Sequence, residues 1–226
     1  MDELDQIKAR YARREPTGSI YGMHHNDAFF ALQQRDAVMR HLVVGLRPQG
    51  FEGLRVLEVG CGSGMNLLRF LMWGVAPVDL HGVDLLPERC EAARQHLPAA
   101  SSIREGDASA MTFEQPFDIV LQSTTLSSIL DDDLRRQVAQ VMWDATASGG
   151  AVLSYDFAVN NPKNPDVRKV TVPELRELFP DGDATVRRVT LAPPIGRRVG
   201  RWPAAYKMLS AVPPLLSHRL VLIKKP

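Results

Sequence analysis

The chain has 226 residues, 45% of them hydrophobic and 23% charged, in one even composition that excludes a disordered or fibrous polymer and implies a single domain over 1–226. The N-terminal MDELDQIKAR lacks the apolar centre of a signal peptide, and no apolar run reaches the length of a membrane span. Two cysteines, Cys61 and Cys90, exclude a disulfide scaffold and imply a reducing, cytoplasmic compartment. The elements then follow in chain order. Asn26 or Asp27 is a candidate cap for a helix running to about Leu46, and residues 1–50 form a helical lid or cap. Leu54–Val59 reads as a buried strand, followed by the glycine-rich turn GCGSG and a helix from about Ser63 to Trp73. A second strand ends near Asp84, Pro87 opens the next helix, and a short strand near Ile103 leads into EGDAS. PFDIVLQ is a fourth strand. Asp131 caps a helix through about Ala145, and Gly149–Gly150 break the chain before the strand AVLSYDF. Thr171 and Glu174 have capping-box spacing for a helix over Val172–Leu178. ATVRRVTL and HRLVLIKK are late strands, separated by a Pro-bracketed helix around Pro203–Ala211.

Strands alternating with helices imply an α/β fold: a doubly wound, mostly parallel sheet of seven strands, with the two late strands as an antiparallel edge pair. In such sheets ligands sit at the C-terminal ends of the strands. The glycine turn after Val59 is therefore the first place to look. No Lys follows Gly64, so a phosphate-binding P-loop is excluded. Gly60 and Gly62 fit a dinucleotide fingerprint, but Met65 stands where its third glycine belongs, and Glu58 would repel a pyrophosphate. Glu58 suits an ammonium, while the helix start after Gly64 suits a carboxylate. An amino-acid tail carries both groups. Asp84, at the end of the second strand, is placed to accept from ribose hydroxyls. Asp107 in EGDAS is placed to accept from an adenine amino group.

VLEVGCGSG, GVDLLPE, EGDAS and FDIVLQ, in this order, resemble the motif series of class I S-adenosylmethionine-dependent methyltransferases. The resemblance covers about Leu54–Phe157. It implies a Rossmann-like methyltransferase fold, an enzyme, and S-adenosyl-L-methionine as cofactor. It places Glu58 and the backbone of Gly60, Cys61, Gly62 and Gly64 around the methionine part and Asp84 on the ribose. Leu85 lies beside the adenine, Asp107 and Ala108 at its edge, and Gln122 closes the site. The Asn/Asp-Pro-Pro-aromatic loop usual for base-amine methylation in this family is replaced by QSTTLSS, which points away from nucleic acid. The neutral loop suits a hydroxylated small molecule.

The loop YDFAVNNPKNPDVRKV resembles that of methyltransferase-like proteins of bacterial polysaccharide or secondary metabolism. There Asp156 is the candidate general base, Asn160 and Asn161 would bind polyol hydroxyls, and Arg168 would clamp an acidic group. Within SIYGMHHNDAFFALQQR, Tyr21 and Phe30 would wall off the sulfonium, and Arg35 would reach the cofactor carboxylate. His24–His25 lacks a second pair at ligand spacing, so no metal is expected. The expected reaction is O-methylation of a sugar-bearing or otherwise hydroxylated small molecule. An RNA methyltransferase and a cofactor-binding protein without turnover remain as alternatives. The formal net charge of +1 hides an asymmetry. Nine Lys and Arg and no acid follow Asp183, interleaved with Trp202, Tyr206, Leu209, Leu215 and Leu216. That tail suits an anionic acceptor or peripheral contact with an anionic membrane. Oligomeric state is not written in the sequence.

Overall fold

Four consecutive buried residues, Val56–Val59, form strand β1. A strand buried on both faces has no polar alternation, and so belongs at the centre of a covered parallel sheet. In a computed structural model describing residues 2–13, 22–161 and 164–226, β1 lies between β2 (Leu80–Asp84) and β4 (Phe117–Ser123), parallel to both. Strands β3 (Ser102–Glu105), β5 (Thr146–Phe157), β6 (Asp183–Leu191) and β7 (Leu216–Lys224) complete a seven-stranded sheet of order β3-β2-β1-β4-β5-β7-β6. β7 runs antiparallel to both β5 and β6, so the late strands form the expected antiparallel pair at one edge.

Helices cover both faces. On one, α2 (Asn26–Leu46), α3 (Met65–Met72) and α4 (Pro87–His96) bury Val43, Leu67, Phe70 and Cys90 against Leu153 and Leu220. On the other, α5 (Asp132–Ala145) and α6 (Val172–Leu178) bury Met142, Val138 and Leu175 against Val120, Val152 and Val221. The predicted caps form: Asp131 accepts from the Leu134 amide at 2.8 Å, and the Thr171–Glu174 capping box is closed in both directions. α2 differs, because it begins at Asn26 with His25 as its cap residue and no side-chain capping bond.

Three further elements depart from the sequence expectation. The N-terminal residues form α1 (Glu3–Ala12), capped by Asp2, which accepts from the Asp5 amide at 2.8 Å. A short helix α7 (Pro193–Val199) precedes α8 (Pro203–Ser210) between β6 and β7. Gly149–Gly150 do not break the chain before the fifth strand but lie inside β5, opposite a register shift between Phe117 and Ile119. The pair acts as a bulge. A Cβ on Gly150 would stand 2.7 Å from the Asp118 carbonyl oxygen, so only glycine lets the two strands approach there. Gly150→Ala is expected to destabilise the fold by about 1–3 kcal/mol, as overpacking against backbone does. Chemical denaturation of the purified variant measures this.

Candidate cofactor and acceptor site

The turn after β1 is held from two sides. The amides of Gly60 and Cys61 both donate to the Val83 carbonyl, at 2.8 and 2.9 Å, which ties the turn to the end of β2. Asp84 then organises the next step: its Oδ2 accepts from the Gly62 amide at 2.8 Å and its Oδ1 from the Leu86 amide at 3.0 Å. Gly60 has φ +70°, and a Cβ there would meet Thr125 Oγ1 at 2.2 Å. The glycine therefore serves a left-handed turn and the close approach of the loop after β4. Gly64 is the residue from which α3 starts.

Glu58 is 1% exposed at the floor of this turn. Its Oε1 accepts from Asn66 Nδ2 at 2.6 Å, and Asn66 Oδ1 in turn accepts from Arg35 Nη2 at 2.8 Å. Glu58 Oε2 is buried without a hydrogen-bond partner. Burial pushes the carboxyl pKa up to about 8, against the opposing pull of Asn66 and Arg35. A buried carboxylate with one unpartnered oxygen is costly unless a cation or donor meets it. The cleft above is lined by Glu58, Gly60, Gly62, Ser63, Asn66 and Ser123. These residues fit the ammonium-bearing tail of an amino acid. Arg35 does not project freely toward a carboxylate as expected. It pairs with Asp36 at 3.2 Å, bonds Asn66 and lies over the Tyr155 ring at 5.2 Å, so it acts on Glu58 through Asn66.

A second cavity continues from the turn, lined by Val83, Asp84, Leu85, Asp107, Ala108 and the Ser123–Thr125 loop. Its mixture of two carboxylates and apolar edges is what a nucleoside needs. Asp107 is less free than its sequence position suggests, because its two oxygens accept from the Ser109 amide at 2.9 Å and hydroxyl at 2.7 Å. The roof is α1, whose Leu4, Ile7 and Tyr11 line the same cavity. Tyr11 donates to Ser128 Oγ at 3.3 Å and lies under the Arg89 guanidinium at 4.3 Å. Arg10 donates to the Ser128 carbonyl at 3.1 Å and pairs with Glu3 at 2.6 Å, and Glu3 accepts from the Leu130 amide at 2.9 Å.

Among the described residues, the part of the expected 1–50 cap that lines this cavity is α1. Tyr21 lies outside the described residues, and Phe30 packs on Tyr206 at 5.1 Å. The i, i+3, i+7 spacing of Leu4, Ile7 and Tyr11 was the available sequence signal for α1. Tyr11→Ala removes a hydrogen bond and a cation–π contact, together about 1.5–2 kcal/mol. Amide exchange over 3–12 is expected to accelerate on the order of tenfold with global unfolding unchanged, as read by exchange mass spectrometry.

The loops after β4 and β5 correct the remaining expectations. Gln122 is fully buried and saturated: Nε2 donates to Ser154 Oγ (2.6 Å) and Asp156 Oδ2 (2.9 Å), and Oε1 accepts from the Thr125 (2.9 Å) and Leu126 (3.2 Å) amides. It shapes the loop and does not touch the cavity, which Ser123, Thr124 and Thr125 line instead. Thr124 has φ +59°, a rare conformation for a non-glycine residue and one that clusters at ligand sites. Asp156 shares the Gln122 face of the sheet by strand alternation, next to the α5 side, and is buried away from the cavity. Burial raises its pKa to about 6, with Ser127 and Gln122 opposing. It is not among the residues that line the cavity, and its Oδ1 is buried without a hydrogen-bond partner.

Asn160 caps its own loop, accepting from the Lys169 amide at 2.8 Å, and Asn161 has intramolecular partners of its own. Arg168 bonds Asp132 and pairs with Glu174 at 3.2 Å. Asn160 and Arg168 therefore sit in a cleft between α5 and α6, apart from the cofactor cavity. The arginine is held there by two carboxylates, one 36 positions before it and one six positions after it.

Residues 56–150 match the family model described as a methyltransferase domain. The chain is 35% identical over 128 residues to the indolepyruvate C-methyltransferase of Streptomyces griseus, covering 53% of this chain and 37% of that one. It is 31% identical over 141 residues to the ubiquinone biosynthesis O-methyltransferase of Sinorhizobium medicae, covering 58% of this chain and 54% of that one. The chain thus spans about half the length, or less, of these curated relatives. Among solved structures, magnesium protoporphyrin IX methyltransferase from Synechocystis, with bound S-adenosylmethionine, superposes with a TM-score of 0.67 at 10% identity, covering 100% of this chain and 98% of that one.

Proposed function

We infer that this chain, whose residues 56–150 are a domain of the class I S-adenosylmethionine-dependent methyltransferase family, methylates a hydroxyl oxygen of a small molecule. The observation that carries the reading is the buried, half-partnered Glu58 beside a glycine turn whose next carboxylate, Asp84, faces the nucleoside cavity. S-adenosylmethionine, when bound, supplies a methyl group already activated on a sulfonium. The protein's part is to hold and to exclude. Glu58 meets the ammonium, Asp84 accepts from the ribose hydroxyls, Leu85 and Ala108 edge the adenine, and α1 keeps water from the cavity.

Neutral Ser123, Thr124 and Thr125 line the cavity. The Thr124 and Thr125 hydroxyls donate to the Ser123 and Val59 carbonyls and their amides to Tyr155 and Gln122, so the loop presents a fixed, uncharged wall that suits a neutral hydroxylated partner. Orientation alone can supply roughly 7–11 kcal/mol of the barrier. With Asp156 behind the loop, acceptors whose hydroxyl ionises readily, such as phenols and enols, fit better than plain sugar alcohols. The relative named as an O-methyltransferase of ubiquinone biosynthesis supports transfer to an oxygen of a small molecule.

The test is incubation with S-adenosylmethionine labelled at the methyl group and a panel of catechols, enolisable keto acids, glycosides and RNA. Label on a phenol or enol oxygen is the expected result. Label on carbon or on RNA would overturn the acceptor assignment. Tight cofactor binding with no label in the panel or in fractionated cell extract would overturn the enzyme reading.

A further inference from the structure

We propose that the α7–α8 insert and the start of α2 form a membrane-contact face that seats the mouth of the site on an anionic lipid bilayer. This deepens the reading above by making the acceptor an amphiphile. Its readout is vesicle binding without turnover, so the two can fail separately.

The placement follows from topology. β7 is antiparallel to β5 and to β6, so β6 runs parallel to β5 and ends, at Leu191, at the same end of the sheet as the glycine turn. The insert therefore hangs at the cofactor end. Its inner side is anchored: Tyr206, Leu191 and Leu216 form a small core with Phe30, and Tyr206 donates to the Asp27 carbonyl at 3.4 Å. Gly196 and Gly200 lie close to Asp27, which joins α7 to the first turn of α2.

The outer side is different. Met208 is 74% exposed and Trp202 49%, with Val212, Met23 and Phe29 also exposed. Five of the nine exposed large hydrophobics among the described residues gather on these neighbouring segments. Around them Arg197, Arg198, Arg201 and Lys207 are exposed, and no acid occurs between 184 and 226. Arg201 lies over the Trp202 ring at 3.9 Å. Asp27, which lies against Gly196 and Gly200, is half-buried beneath the insert. Apolar tips, a tryptophan and exposed cations are complementary to an anionic headgroup layer with hydrocarbon below it. A soluble polyanion would reward the cations and leave the apolar tips in water.

Co-sedimentation with phosphatidylcholine vesicles, with and without phosphatidylglycerol, tests this. Binding is expected only with phosphatidylglycerol, to weaken at high salt, and to shift tryptophan emission to the blue. Arg197→Gln/Arg198→Gln/Arg201→Gln should lower partitioning on the order of tenfold or more. Trp202→Gln should abolish the emission shift and weaken binding several-fold. These side chains lie outside the cofactor cavity, so melting and cofactor affinity serve as folding controls, and Trp202→Gln decides alone if the triple variant is unstable. No binding to phosphatidylglycerol vesicles at low salt would overturn the proposal. So would vesicle binding that is lost in the arginine variant but unchanged in Trp202→Gln, which would show charge attraction alone, with no apolar insertion into the bilayer.

Discussion

Asp84→Ala is expected to raise the dissociation constant of S-adenosylmethionine at least tenfold and up to a few hundredfold. Two effects combine. The carboxylate would accept from the ribose, and a hydrogen bond to a charged group is worth about 1.5–3 kcal/mol. The same carboxylate accepts from the Gly62 and Leu86 amides, so its loss also loosens the turn that faces the methionine part. Asp84→Asn touches both effects but leaves part of the turn intact. It keeps an oxygen for one amide but presents an NH2 to the other, so it should lose more than the ribose bond alone. Titration calorimetry on the folded variants, with melting temperature as a control, measures both. Adenosine, which lacks the amino-acid tail, should lose affinity in Asp84→Ala by a smaller factor than the full cofactor, because only the ribose component applies to it. Unchanged cofactor affinity in a folded Asp84→Ala protein would remove this residue from the site.

Asp84 was legible because everything it needs is local: a strand end, a glycine turn one strand earlier, and a proline that starts the next helix. The placement of Glu58, Gly60, Leu85 and Ala108 along the cleft and cavity was legible in the same way. The residues that were misplaced depend on partners far along the chain. Arg168 reads as a free cation until Asp132 and Glu174 are brought beside it, separated from it by 36 and 6 positions. Gln122 and Asp156 share one face of adjacent strands, and strand alternation shows that they share it without showing which helices cover it. The phase is set by α5 and α6 packing on that side. The place of α1 over the cavity was hidden for the same reason: Arg10 reaches the Ser128 carbonyl across 118 positions. Gly149–Gly150 are a different case, since a glycine pair is an equally good signal for a break and for a bulge, and only the partner strand decides.

Glu58 should make cofactor binding release a proton. In the folded protein its carboxyl pKa is raised from 4.5 to about 8 by burial, so near neutral pH the ligand-free site holds a proton. An unfolded chain has released that proton above about pH 4.5. The raised carboxyl therefore contributes stability that is present at low pH and is lost as pH rises toward 8, at up to about 1.4 kcal/mol per pH unit. A cationic ammonium reverses the balance by favouring the ionised carboxylate. Affinity should then rise with pH between about 6 and 8, by as much as tenfold per unit, and level off where the ligand's own α-amino group begins to titrate, near 8. Calorimetry in buffers of different ionisation enthalpy counts the proton directly, and release close to one is expected near pH 6.5. Glu58→Gln should bind more weakly with no proton released. 5′-Methylthioadenosine, which has the nucleoside and sulfur but no amino-acid tail, should bind wild-type protein without release. Equal release with both ligands would show that the proton leaves some other group, and the assignment of Glu58 to the ammonium would fall.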